Sequence, residues 1–179
     1  GVTSLAVNLA AAVRQRQNAE VLLLDLGLPV RDGALYLNVA PEFHFVEAVR
    51  NLRRFDQVFV QTALARHANG VSVLPLPATL AELRDISFSE ALALLDRLRA
   101  FFDLQVIDLG GFSNAEFMSQ IVKAADAVVM VAEEPATPET TSSRIADTGN
   151  AKLPELLRPL TPLSPVLAIH TGAGDEVEE

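Results

Sequence analysis

The sequence predicts an α/β protein with a mainly parallel β-sheet flanked by helices on both faces, and three observations carry that prediction. Val21-Leu22-Leu23-Leu24, Val106-Ile107 and Ala127 to Ala132 are apolar runs of the kind found in strands buried on both faces. Stretches with helical spacing of apolar residues stand between them, so strand and helix patterns alternate through residue 132, as in βαβ units. Two of the runs close on an aspartate, Asp25 in VLLLD and Asp108 in LQVID, at the strand end where open α/β sheets place their sites.

The elements follow in order. Leu5, Leu9, Ala12 and Val13 form an apolar stripe that predicts a helix over 3–16, opened by Gly1-Val2-Thr3-Ser4. A strand covers 21–25. Gly27 to Gly33 is a loop, and Asp32 is placed to cap a short helix through Leu37. Phe45, Val46, Val49 and Leu52 predict a helix over 43–53; Asp56 caps another over 57–67, with Asn69-Gly70 as its stop. A strand over 71–75 is cut off by Pro75 and Pro77. Ser87-Phe-Ser-Glu90 matches a capping box opening a helix over 88–102, whose stripe is Ala91, Leu94, Leu95, Leu98 and Phe102. After the strand 104–108 come Gly110-Gly111, then Ser113 or Asn114 as the cap of a helix over 114–124, then a strand over 127–132. Beyond residue 135 prolines at 135, 138, 154, 159, 162 and 165 interrupt the pattern, and only Val166 to Ile169 reads as a further strand. The chain therefore divides into residues 1–135 and a Pro-rich, acidic segment, 136–179, whose end from Asp175 reads as disordered.

Composition removes several function classes. No run of 18 apolar residues occurs, so no membrane span is expected. There is no cysteine, which excludes disulfides, thiolate metal sites and a cysteine nucleophile. The net charge of −9 argues against a large nucleic-acid footprint, although residues 133–179 carry most of it. Arg50, Arg53 and Arg54 read as a solvated helix face. His44, His67 and His170 are isolated and lack zinc spacing, and no G-x-S-x-G elbow is present.

What remains is phosphate chemistry. Hydroxyls in the first turn of a helix reach an anion at the unpaired N–H groups, or a magnesium ion beside it. Set on the pattern G-x-x-x-x-G-K-[ST], Gly1 is the last glycine, Val2 occupies the lysine position and Thr3 is the magnesium-side hydroxyl; the strand and earlier glycines of such a loop are expected upstream of Gly1. Alone, Gly-Val-Thr-Ser reads first as an ordinary glycine-started helix with a hydroxyl cap. Two strand-end aspartates, able to hold a magnesium water shell or orient a water, together with Gly110-Gly111 as a turn that aims N–H groups at a phosphate, tie it to a nucleotide.

The series GVTSLAVNLA, VLLLDLGLPVRDGALYLNV, GVSVLPLP, LQVIDLGGFSN and ADAVVMVAEEP resembles the MinD/ParA group of deviant Walker-A ATPases, most of all its CpaE/TadZ pilus-assembly branch, over roughly residues 1–135. The resemblance implies a P-loop NTPase-like fold, ATP and Mg2+ as ligands, and a homodimer closed over the nucleotide. It also implies cytoplasmic work with pilus or secretion assembly proteins, helping to place a Tad (Flp) machine at the cell pole near the inner membrane, often behind a receiver-like N-terminal domain. By resemblance Gly1, Val2, Thr3, Ser4, Asp25, Asp108 and Gly110 bind the cofactor, with Thr3, Asp25 and Asp108 at the metal, Asp108 as the Walker B aspartate and Asp25 as the one candidate for a catalytic role. Two positions depart: Val2 replaces the loop lysine, and Gly27 replaces the second aspartate that orients the attacking water. Residues 136–179 lack the usual adenine contacts and any amphipathic membrane helix. Three readings stand at this point: a nucleotide-responsive localisation or scaffold protein that hydrolyses ATP poorly or not at all, an active ATPase of the partitioning kind, and a structural domain with an abandoned site. Val2 and Gly27 favour the first, because one lost group neutralises the transferring phosphoryl group and the other orients the attacking water.

Overall fold

A computed structural model describes residues 1–28, 32–112, 114–133, 143–147 and 166–171. Its helices are α1 (Val2–Gln17), α2 (Asp32–Tyr36), α3 (Phe45–Arg50), α4 (Gln57–Ala63), α5 (Phe88–Leu98) and α6 (Ala115–Ala124). Its strands are β1 (Val21–Asp25), β2 (Ala65–Arg66), β3 (Ser72–Pro75), β4 (Leu104–Asp108), β5 (Ala127–Glu133), β6 (Ser143–Asp147) and β7 (Val166–Thr171), in one sheet of order β2-β3-β1-β4-β7-β5-β6. The predicted capping residue Ser113 and most of the segment 136–179, including its acidic end, lie outside the described residues.

The fold class is the predicted one. β1 pairs in parallel with β3 and with β4, and Asp25 lies directly opposite Asp108 in the β1–β4 register. β7 runs antiparallel to both β4 and β5, so β5 shares the direction of β4. The sheet is thus mixed: β1, β3, β4 and β5 run one way, and β2, β6 and β7 the other. The crossover from β4 through α6 to β5 passes over one strand position, and β7 occupies it.

Alternation along the central strands builds two cores. Leu22, Leu24 and Ile107 face a layer containing Phe45, Val49, Leu94, Leu98, Phe117 and Ile121 from α3, α5 and α6. Val21, Leu23 and Val106 face Val2, Ala6, Val7, Ala10 and Ala34 from α1 and α2. At about 25 cal/mol per Å² of apolar surface, full burial of one such leucine or isoleucine contributes roughly 1.5–3 kcal/mol, so these two layers position everything at the strand ends.

Local chemistry sets the boundaries. Ser87 Oγ accepts from the Glu90 N–H and Glu90 accepts from the Ser87 N–H, so the capping box opens α5 as expected. Asp56 caps α4 through the Phe59 N–H at 2.7 Å. α5 ends at Leu98, short of the predicted 102, and two further predicted helices are shorter than expected. The stretch 43–53 breaks into α3 and a separate 3-10 turn, Leu52–Arg54. The helix predicted over 57–67 ends at Ala63, because residues 65–66 pair with β3 instead. Asn69-Gly70 is accordingly the turn of that hairpin and not a helix stop: Gly70, at φ +97°, donates to the His67 carbonyl. Its positive φ suits glycine. No helix among the described residues is long and apolar enough to cross a membrane.

Candidate functional site

β1 and β4 deliver Asp25 and Asp108 side by side at the C-terminal edge of the sheet. Both are fully buried. Backbone bonds lock the strand ends together: the Leu26 N–H donates to the Asp108 carbonyl at 3.1 Å, the Leu28 N–H to Gly110 at 2.7 Å, and the Leu76 N–H to Asp25 at 3.0 Å. Each carboxylate is then held by one oxygen. Oδ2 of Asp25 accepts from the Gly33 N–H at 2.9 Å, at the start of α2, and Oδ1 of Asp108 accepts from the Gly110 N–H at 2.8 Å. The other oxygens, Asp25 Oδ1 and Asp108 Oδ2, are buried and without a hydrogen-bond partner among the described residues.

Two bare carboxylate oxygens in a buried pair are electrostatically costly. Burial, and then the charge of Asp108, push the Asp25 carboxyl up to about 6, against the opposing pull of the Gly33, Ala34 and Gly27 N–H groups. Such a pair suits a proton or a cation. Among the described residues no group of three or more His, Cys, Asp or Glu side chains stands ready to hold a metal. Magnesium, however, is commonly held by one or two carboxylates with water and substrate phosphate completing its shell. The residues present fit that arrangement.

The start of α1 carries the other predicted site residues. Val2 begins α1 and lies beside the Asp108 loop: a Cβ built on Gly110 would lie 3.6 Å from the Val2 Cβ and 3.0 Å from Asp108 Oδ1. Its side chain is only 5% exposed, packed into the α1/α2 core, so the lysine position is a core position here. Thr3 and Ser4 occupy the next positions of α1, and neither side chain makes a hydrogen bond among the described residues. Gly1 precedes the helix with open space around it. Gly27 faces the pair, since a Cβ there would lie 3.4 Å from Asp108 Oδ2.

Two features escaped the sequence reading. In sequence Gly33 reads as loop punctuation, yet it is the donor to Asp25, a contact eight residues away along the chain. Asp32, which the sequence offers as the cap of the short helix, lies within α2, and Asp25 supplies the accepting oxygen. The second feature is a cavity of ≈ 610 Å³ at the same end of the strands, on the opposite face of the sheet. Leu28, Phe45, Phe88, Phe112 and Phe117 line it and no carboxylate does. Its phenylalanines read from sequence as core.

Comparison with solved structures gives a likeness in fold. The crystal structure of a ParA family ATPase from Chlorobium tepidum TLS matches at a TM-score of 0.52 and 24% identity, over 59% of this chain and 44% of that one. The match thus spans less than half the length of that protein. No family model matches the chain, and no curated protein does. At that identity the likeness establishes the fold: this chain is an α/β domain built like a ParA-type P-loop NTPase.

Proposed function

We propose that this chain is a nucleotide-binding, ATPase-like localisation or assembly protein of a Tad (Flp) pilus or secretion system, one that hydrolyses ATP weakly or not at all. The observation that carries the reading is the pair Asp25 and Asp108, in register on adjacent parallel strands, each buried with one oxygen tethered and one bare. The sequence motifs and the likeness in fold support it. In this reading Asp25, Asp108 and Thr3 hold Mg2+, which neutralises phosphate charge when bound. Gly1, Ser4 and Gly110, with the N–H groups opening α1, face the phosphates. The protein acts as a homodimer in the cytoplasm, with pilus assembly proteins at the cell pole.

Weak hydrolysis follows from Val2 and Gly27. A buried valine carries no charge to the transferring phosphoryl group, and glycine orients no water. Ground-state binding survives this loss, whereas the transition state does not. The test uses protein expressed from its complete reading frame. Calorimetry with ATP and Mg2+ is expected to show binding, and steady-state phosphate release at saturating ATP is expected far below ~1 s⁻¹, the low end of ordinary enzymes. Val2→Lys with Gly27→Asp is expected to raise turnover more than either change alone, because a new carboxylate facing Asp108 Oδ2 needs a compensating cation. Wild-type turnover at or above that level makes the protein an active ATPase and overturns the scaffold reading. Absence of ATP binding leaves the structural domain.

A further inference from the structure

Both carboxylates are tethered by a glycine, but the two tethers differ in how much room they leave. A Cβ built on Gly110 meets Asp108 Oδ1 at 3.0 Å and otherwise only Val2, at 3.6 Å and beyond. At Gly33 it meets three atoms at once: Asp25 Oδ2 at 2.9 Å, Asp25 Cγ at 3.0 Å and Leu23 Cδ2 at 3.1 Å. Asp25 and Leu23 are fully buried, so either side chain can give way only by disturbing the packed interior. The Gly33 N–H and the Asp25 carboxylate approach this closely only because position 33 carries no side chain. The approach in turn decides which oxygen of Asp25 is used up: Oδ2 faces α2, and Oδ1 is left bare.

We propose that Gly33 is a positioning residue: it holds Oδ2 of Asp25 against the start of α2 and thereby fixes Oδ1 as the oxygen that Asp25 offers to a divalent cation at the strand ends. The cation rests on the nucleotide reading above; the steric coupling of Gly33 to Asp25 does not. Any added side chain at 33 turns or displaces the carboxylate and misaligns Oδ1, although Gly33 itself touches no ligand. A purely local role for Gly33, as a helix-opening residue, predicts something different. Its φ lies outside the positive region, so with Asp25 shortened an alanine at 33 is the better helix former and stabilises the protein.

The experiment is a double-mutant cycle on the protein from its complete reading frame: wild type, Gly33→Ala, Asp25→Ala and the double variant, each measured for Tm and for ATP affinity with Mg2+ and with EDTA. In the wild-type background Gly33→Ala is expected to lower Tm by on the order of 5 °C. In the Asp25→Ala background the same change is expected to leave Tm unchanged or raise it. Gly33→Ala is also expected to cut the Mg2+-dependent gain in ATP affinity at least tenfold while changing affinity in EDTA less than twofold. An equal loss of Tm in both backgrounds overturns the positioning role. So does a Mg2+-dependent gain within twofold of wild type. If wild type binds no ATP at all, the proposed function falls, and the Tm cycle alone decides whether Gly33 positions Asp25.

Discussion

The ends of β1 and β4 look alike in sequence and differ in what they must do. Each is an apolar run closed by a buried aspartate, and each aspartate gives one oxygen to a glycine N–H. The difference lies in the helix that follows. α6 brings its own cap, because Asn114 Oδ1 accepts from the Phe117 N–H at 2.9 Å. Asp108 is therefore free of that duty and bonds only its own loop. α2 is five residues long, too short to persist without tertiary support. Pro29, Val30 and Arg31, which precede it in sequence, carry no accepting side chain, and it borrows Asp25. The same aspartate is both helix cap and half of the carboxylate pair. An identical strand-end motif thus carries different obligations, set by whether the next helix is capped locally. The β1 end should be the more sensitive of the two to charge, and sterics should lock the two loops to each other.

The largest effect expected is at the β4 end, and it is steric. Gly111 sits at φ +71°, and a Cβ there would run into the Leu28 carbonyl, which belongs to backbone and has no flexible end to move aside. Gly111→Ala combines left-handed strain with that collision and is expected to cost about 3 kcal/mol or more. Urea denaturation measures it. A loss of about 1 kcal/mol or less would mean that the two strand-end loops are not locked together, and the contrast with the β1 end would lapse.

Next comes the charge effect at the β1 end, predicted from Asp25. Its carboxyl stands at about 6 in the folded protein against an ordinary value of 3.8. A carboxyl raised on folding binds its proton more tightly in the folded state. Its contribution is therefore most favourable below about pH 4 and is lost as pH rises through 6. Two units correspond to about 3 kcal/mol. Asp25→Asn keeps an acceptor for Gly33 and removes the charge. In EDTA it is expected to be more stable than wild type by up to about 3 kcal/mol at pH 8, and equal to it near pH 3.5. Denaturation curves at the two pH values read this directly. A difference independent of pH would place the strain elsewhere. Mg2+ should shrink the gain at pH 8, because a cation on the pair removes the same penalty.

These expectations rest on unevenly legible features. The central strands were plain in the sequence because a strand buried on both faces has no polar position to disguise it, and the two aspartates stood out against those runs. Ser87 and Asp56 were legible as caps because capping is local, three residues from donor to acceptor. Non-local facts were not. Nothing within Val166 to Thr171 says that it lies between β4 and β5 or that it runs against them; that follows from which strand position α6 leaves open. The pairing of Ala65 with Val73 ends α4 early, and a two-residue strand has no period to detect. Val2 was read as a vacated lysine position, and its burial in the core depends on how α1 packs. Gly33 looked like any loop glycine until the backbone brought it against Asp25.

The smallest effect expected sharpens the comparison most cleanly, because it isolates the cap. Asn114→Ala removes the oxygen that accepts the Phe117 N–H and leaves Asp108 and Gly110 untouched. An N-cap of this kind is worth about 1 kcal/mol. The amide does not titrate, so the cost should be the same at pH 5 and at pH 8, unlike the Asp25→Asn difference measured over that range. It should also leave the pH dependence of Asp25→Asn unchanged, since the two sites share no hydrogen-bond partner. Denaturation of Asn114→Ala, Asp25→Asn and the double variant at both pH values measures all three quantities. If the Asn114→Ala cost grows towards pH 8, the cap of α6 is coupled to the carboxylate pair. Asp108 would then be holding its helix much as Asp25 holds α2, and the division of labour between the two strand ends would be wrong.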